Sequence, residues 1–208
     1  MRNDNLAGNL ISSIIFNLKG QRLSYFLPLI QTGVQIEAEF GIPVKSFLLT
    51  LPGVNAEYIE NRINTVFLDG EVLDDLDKTY ISNGAELSLS ASMPGLAGAT
   101  LRMGGSLATL RKEITYSEKK EKGQTGQGFV TIKLFNLIIK DLGQGLLKKG
   151  VYIKQDQLKD LLKDGSGEFA ADLENITLND QEMTLQELSG MNWADPGSMI
   201  QIRVAFSS

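Results

Sequence analysis

Asp74, Asp75 and Asp77 crowd one short stretch, with Glu71 close by. Neighbouring carboxylates can move protons or weakly hold a hard, oxygen-seeking cation, and the same acids also serve as solvated loop surface. Lys163–Glu168, KDGSGE, has the look of a calcium loop. Setting Asp164, Ser166 and Gly167 at loop positions three, five and six puts Leu162 and Leu173 where acidic ligands are required, so a helix C-cap and turn is expected instead. Tyr116 and Lys112 form the one remaining acid–base pair, with no spacing that brings them together. The run Pro94–Gly105, PGLAGATLRMGG, has three readings: a connector, a tail recognised or cut by a partner, or a cradle of backbone amides for an anion. The cradle lacks the Gly-Lys-Ser/Thr end of a phosphate loop and the strand–GxGxxG–helix context of a dinucleotide site. Arg102 and Arg111, the cations nearest to it, read as solvated charges. Trp193, the only tryptophan, stands in the turn-rich GMNWADPG, either packed over the end of a small core or exposed as an anchor for a partner.

The rest of the composition narrows the chemistry. With no cysteine and no histidine in 208 residues, the chain makes no disulfide, thiolate nucleophile, imidazole base or Ser-His-Asp triad. No catalytic, cofactor or metal site is expected. Twenty basic against twenty-five acidic side chains leave a net charge of −5, which gives no basic excess for nucleic acid or an anionic membrane. No stretch approaches the roughly 20 apolar residues of a membrane helix. Leu10–Leu18 is interrupted by Ser12, Ser13 and Asn17, and a soluble cytoplasmic protein is expected.

Elements must position whatever chemistry remains, and the chain repeats itself. IIFNL (14–18), GVQI (33–36), PVKSFLLTL (43–51), IENRINTVFLDG (59–70) and GAELSLSA (84–91) are answered in order. The second set is KLFNL (133–137), GVYI (150–153), QLKDLLKDG (157–165), LENITLND (173–180) and GSMIQIRVAF (197–206). Short β-branched or alternating runs predict strands at Ile14–Leu18, Val66–Leu68, Leu87–Ala91, Val130–Leu134, Ile176–Leu178 and Ile200–Val204. Leu158, Leu161 and Leu162 at helical spacing predict a short helix with Asp156 at its start and Gly165 past its end. Its counterpart opens at Pro43 and buries Val44, Phe47 and Leu48. Asp69-Gly70 and Asn179-Asp180 carry the turn chemistry after the third strand of each copy.

This order, with a Val-x-Leu-Asp-Gly turn before a closing strand, resembles the β-grasp fold of ubiquitin-like proteins. It is most similar to the small sulfur carriers of thiamin and molybdopterin biosynthesis. The residues that carry the resemblance are Leu68-Asp69-Gly70-Glu71-Val72 in the turn, Thr79 in the loop and Gly84–Leu89 in the last strand. Leu101-Arg102-Met103-Gly104-Gly105 also looks like the Leu-Arg-x-Gly-Gly tail of ubiquitin. The resemblance implies an α+β protein of two tandem β-grasp domains joined by a Gly-rich tail and a charged linker. Residues 8–105 would form the first domain with its tail, 106–128 the linker and 129–208 the second domain.

The resemblance further implies a non-enzymatic interaction or scaffold protein. The alternative is the precursor of a sulfur carrier or protein modifier. Those carriers act through a free C-terminal glycine carboxylate, so cleavage after Gly105 would be needed, with the tail or cleavage motif at Leu101, Arg102, Gly104 and Gly105. A weaker alternative is an enzyme using carboxylates alone. The expected partners are proteins, among them an activating enzyme or protease, or a second copy in a homodimer. The uncharged insert Leu23–Ile30 supplies the expected contact surface in Tyr25, Phe26 and Leu27, and Trp193 is a further candidate for a partner surface.

Overall fold

Alternation decides which face of each strand is buried. In β1 (Ser12–Leu18), Ile14, Phe16 and Leu18 have no exposed surface, while the residues between them are half-buried. A 3₁₀ turn at Leu23–Phe26 and α1 (Leu27–Thr32) lead to β2 (Val34–Phe40), α2 (Val44–Leu48), α3 (Ala56–Arg62), β3 (Thr65–Leu68), β4 (Glu71–Val72) and β5 (Glu86–Ser90). Next come α4 (Gly95–Leu101), a 3₁₀ turn at Ala108–Arg111, β6 (Gly126–Phe135), α5 (Asn136–Lys149), β7 (Val151–Lys154) and α6 (Gln155–Asp164). The chain closes with α7 (Glu168–Asp172), β8 (Leu173–Leu178), β9 (Gln181–Met183), α8 (Leu185–Gly190) and β10 (Met199–Phe206). This computed structural model describes residues 12–91, 95–111, 115–116, 125–164, 167–191 and 198–207. The architecture is mixed α and β. Among the described residues no helix is long and apolar enough to cross a membrane.

Local chemistry explains several boundaries. Pro43 precedes α2, whose Val44, Phe47 and Leu48 are buried. The Asn55 side chain accepts the Tyr58 amide and so caps α3. Gly33, which ends α1 at φ +115°, approaches Thr131 so closely that a Cβ there would lie 2.9 Å from its methyl group. At α8 the Thr184 Oγ1 accepts the Glu187 amide at 3.2 Å, and the Glu187 carboxylate accepts the Thr184 amide at 2.7 Å. This reciprocal capping box holds the Glu187 carboxyl below its ordinary value. The box stabilises α8 fully above the unfolded-state value of 4.5, and the contribution disappears as the pH falls through the lowered folded value. Thr184→Ala should cost about 1 kcal/mol at neutral pH. Amide exchange of α8 across a pH series checks both, since the variant should lose the acid-dependent fraying of the parent.

The contacts divide the chain differently from the order of the sequence repeats. One unit is Met1–Leu29 with Leu147–Ser208, and the other is the continuous stretch Ile30–Leu146. Both boundaries fall inside helices, α1 and α5, a few residues ahead of Gly33-Val34 and Gly150-Val151. The expected division into 8–105, 106–128 and 129–208 is therefore replaced by a nested one, with the second unit inserted between β1 and β7. The physical reason is strand partnership: β1 pairs with strands of the second repeat, and β6 with strands of the first.

In the first unit the strand order is β7-β10-β1-β8-β9. The central pair β10·β1 is parallel, with Ser12 opposite Ile200 and Leu18 opposite Phe206, and both flanking pairings are antiparallel. Its core combines Ile14, Phe16 and Leu18 with Ile200, Ile202 and Val204, closed by Phe26 and Phe169.

In the second unit the order is β4-β3-β5-β6-β2, again with a parallel central pair, β5·β6, between antiparallel neighbours. Leu87 and Leu89, Val130, Ile132 and Leu134, and Val34 and Ile36 form its buried strand face. The helices add Phe47, Leu48, Ile59, Ile138, Ile139 and Leu142.

The two tight turns reveal which strands hold equivalent places. Asp69 (φ +52°) and Gly70 (φ +86°) turn β3 into β4, and Asn179 (φ +50°) and Asp180 (φ +65°) turn β8 into β9. Asp69 exchanges two bonds with Glu86 of β5: its amide donates to the Glu86 carbonyl at 2.9 Å, and its Oδ1 accepts the Glu86 amide at 2.8 Å. Asn179 makes the same two bonds, 2.9 Å each, to Ser13 of β1. Thus β1 in the first unit stands where β5 stands in the second, although the sequence repeat aligns β1 with β6.

Candidate functional site

The glycine-rich segment after β5 does not hang free. It folds as α4 and then a turn in which the Gly105 amide donates to the Arg102 carbonyl at 3.0 Å. Gly104 takes φ +62° there, a conformation that favours glycine at the third position of such a turn. The Met103 amide donates to the Asn64 carbonyl at 2.8 Å, and the Gly104 amide donates to Asp74 Oδ1 at 3.0 Å. Three consecutive amides are thereby occupied within the protein. The anion-cradle reading of Pro94–Gly105 fails for that reason, because a bound phosphate needs those donors unpaired.

Arg111 organises the segment. Its side chain is 2% exposed, which corrects its reading as a solvated charge, whereas Arg102 is exposed as expected. Arg111 Nε donates to the Thr100 carbonyl at 2.6 Å, Nη1 to Thr115 Oγ1 at 3.1 Å, and Nη2 to Asp74 Oδ1 at 2.5 Å and to the Arg102 carbonyl at 3.4 Å. A planar guanidinium suits this task, since it presents several donors at fixed angles to one carboxylate and a ring of carbonyls. Thr115 Oγ1 donates back to the Arg111 carbonyl at 3.0 Å, and the Tyr116 amide donates to the Val72 carbonyl of β4 at 2.8 Å. Part of the expected linker 106–128 is thus ordered against the second unit.

The acidic stretch is dispersed onto separate partners. Asp74 meets Arg111 and Gly104. Asp75 accepts the amides of Asp77 and Lys78 at 3.1 and 3.0 Å and pairs with Lys78 Nζ at 3.1 Å, and these bonds, the ammonium's first, hold its carboxyl below the ordinary value. Asp77 pairs with Lys45 at 3.2 Å, and Glu71 lies exposed in β4. Among the described residues no three His, Cys, Asp or Glu side chains converge as a metal site would require. A cavity of about 340 Å³ opens beside this loop, with Ile59, Leu76 and Met103 as apolar lining and Glu60, Asp74 and Gly104 among its polar neighbours.

The other expected sites fare differently. Leu101 is half-buried in the last turn of α4, Gly104 is exposed and Gly105 half-buried, so the tail or cleavage motif is a folded turn and not an extended tail. Phe26 is fully buried and cannot offer surface to a partner, while Tyr25 and Leu27 are half-buried. The Phe26 ring lies 6.2 Å from that of Phe16 and 6.0 Å from that of Phe169. The Tyr25 and Phe169 ring centres lie 5.2 Å apart in an edge-on arrangement, and Tyr25 donates its hydroxyl to Asp172 at 2.8 Å; burial first, and that bond second, push its pKa up. Lys112, Trp193 and the expected helix end at Gly165-Ser166 lie outside the described residues. The Tyr116 amide donates to Val72 of β4.

Two features carry no warning in the sequence. The Asp74–Arg111 pair joins residues whose spacing suggests nothing, and Arg111 differs from Arg102 only in where the fold puts it. Leu96 and Leu110, 71% and 69% exposed, are the most exposed large apolar side chains among the described residues, and both sit in this segment.

A scan against protein-family models finds no match, and neither do searches of curated proteins and of solved structures.

Proposed function

We propose that the chain is a non-enzymatic, ubiquitin-like protein-interaction or scaffold protein, and that each unit is a variant of the β-grasp fold with a rearranged strand order. The fold part of this reading is supported by the parallel central pair flanked by antiparallel strands in each unit, with short helices ahead of the strand that enters the tight turn, α2 and α3 before β3 and α6 and α7 before β8.

One observation carries the preference for a scaffold over a cleaved precursor. Gly105 lies in sequence between β5 and β6, and those two strands are neighbours in the sheet of the second unit. A cut there would leave β6 on one fragment and β2, β3, β4 and β5 on the other. The same cut would separate β1 from β8 and β10, its partners in the first unit. The fragments would stay threaded through both sheets instead of releasing a free carrier. The carboxylate-only enzyme is weaker still, because Asp74, Asp75 and Asp77 are each engaged by a cation.

Intact mass spectrometry of the protein from its native cells tests the choice. The full-length chain alone is the expected result, together with a reproducible protein partner, or a homodimer, on native purification. A species ending at Gly105, or one in which sulfur replaces a carboxylate oxygen, would establish the precursor with its activating enzyme or protease. Full-length chain with no partner and no dimer would remove support from the scaffold.

A further inference from the structure

Between Ala91 and Val130 no apolar side chain is buried among the described residues, and the only buried side chain in that interval is Arg111. Hydrogen bonds tie the segment to the rest of the second unit: Arg111 and Gly104 to Asp74, Met103 to Asn64, and Tyr116 to Val72. Asp74 accepts two of these bonds, and the Arg111 guanidinium also gathers Thr100, Arg102 and Thr115 of the segment around itself. Stretches with little apolar burial open locally at a small fraction of the global unfolding free energy, and here that opening depends mainly on the Asp74–Arg111 pair.

What the segment covers is equally specific. β4 is two residues long and stands last in the strand order of the second unit, next to β3. Thr115 lies across from Val72 as a parallel bridge, so the chain already lays one of its own segments against that edge. Proteins commonly blunt an unpaired strand edge in this way, and the same edge accepts an extended segment of another chain by main-chain hydrogen bonds.

We propose that residues 95–111 with Thr115–Tyr116 form a clasp kept shut by the Asp74–Arg111 pair, and that opening it frees the edge of β4 for an extended strand of a protein partner, added parallel to β4 as Thr115–Tyr116 is now. The identity of the occupant as a protein rests on the interaction reading above, whereas the clasp itself does not. The existing bridge argues for the occupant, because it shows the backbone direction and the acceptor, the Val72 carbonyl, that an incoming strand would use.

The test uses the full chain as wild type, Arg111→Ala and Asp74→Asn. Hydrogen exchange should rise about tenfold or more across 95–111 and β4 in both variants, while β2 and β6 stay within about twofold of wild type. A labelled synthetic peptide of residues 108–118 should then bind Arg111→Ala at least about tenfold more tightly than wild type, whose edge is occupied. The clasp is overturned if 95–111 keeps its wild-type protection, or if β2 and β6 lose protection in equal measure. Peptide binding that is equal in the two proteins, or absent from the opened variant, overturns strand addition. Should Arg111→Ala fail to fold, Asp74→Asn serves both measurements, since it keeps the side-chain shape and removes only the charge partner. These readouts concern this chain alone, so they stand or fall separately from the native mass and co-purification results.

Discussion

Deleting residues 1–20 is expected to unfold the first unit and leave the second folded. β1 lies between β10 and β8, paired with β10 from Ser12 to Leu18 and with β8 from Ile14 to Leu18. Ile14, Phe16 and Leu18 are completely buried there. Burying each such side chain stabilises by about 1.5–3 kcal/mol, and three of them together rival the whole stability of a small domain, about 5–15 kcal/mol. The deletion also strips hydrogen-bond partners from both neighbouring strands. Amide exchange should therefore show lost protection at β7, β8 and β10, far away in sequence, with β2, β3, β5 and β6 keeping theirs. A tandem arrangement predicts the reverse, with damage confined to the first repeat. Protection lost from β2 to β5 while β8 and β10 stay protected would overturn the nested division.

Phe169→Ala should be the most damaging single substitution in the first unit, at about 3–5 kcal/mol. Phe169, on α7, is 1% exposed and has the rings of Phe16, Tyr25 and Phe26 within 5.2–6.0 Å. Its loss empties the centre of a four-ring cluster in which the partners sit tilted or edge-on, an arrangement smaller residues cannot rebuild. Phe169→Leu should cost less, because most of the volume remains. Denaturant titration reads both, and a Phe169→Ala loss below about 1 kcal/mol would mean the cluster collapses to fill the hole. The polar web around it, Arg22 with Glu168 and Asp172 at 3.3 Å each, is largely exposed and should contribute much less.

Local chemistry made much of the fold legible, and partnership did not. Asp69-Gly70 and Asn179-Asp180 could be read as turns because their backbone demands positive φ, which few residue types tolerate. The helix around Leu158 and Leu161 was visible from spacing, and so were six strands from their alternation. The Phe-Asn-Leu triplet misled, for its two copies are not used alike. Asn17 stays in β1 and bonds the Asn175 side chain, while Asn136 takes φ +54° where β6 meets α5 and donates to Ser90 Oγ at 2.8 Å. Matching KLFNL (133–137) to IIFNL (14–18) concealed α5, whose Ile138, Ile139, Leu142 and Leu146 are nevertheless at helical spacing. A period of two says which face of a strand is apolar but not which strand lies beside it, so β1 and β6 could be found without their neighbours. The site was less legible still. The Gly104-Gly105 turn shows itself as glycine, but the burial of Arg111 depends on carbonyls and a carboxylate that only the folded chain brings together.

The nested order also sets a timetable for synthesis. β1 is made long before β8 and β10 exist. At about 5–20 residues per second, the roughly 150 residues between β1 and β8 take on the order of 10–30 s to appear. Through that interval Ile14, Phe16 and Leu18 have no sheet to enter, while β2 to β6 emerge as one continuous stretch and can pair as they arrive. An apolar strand kept waiting in this way finds its first partner only when β8 emerges, and its parallel partner β10 only at the end.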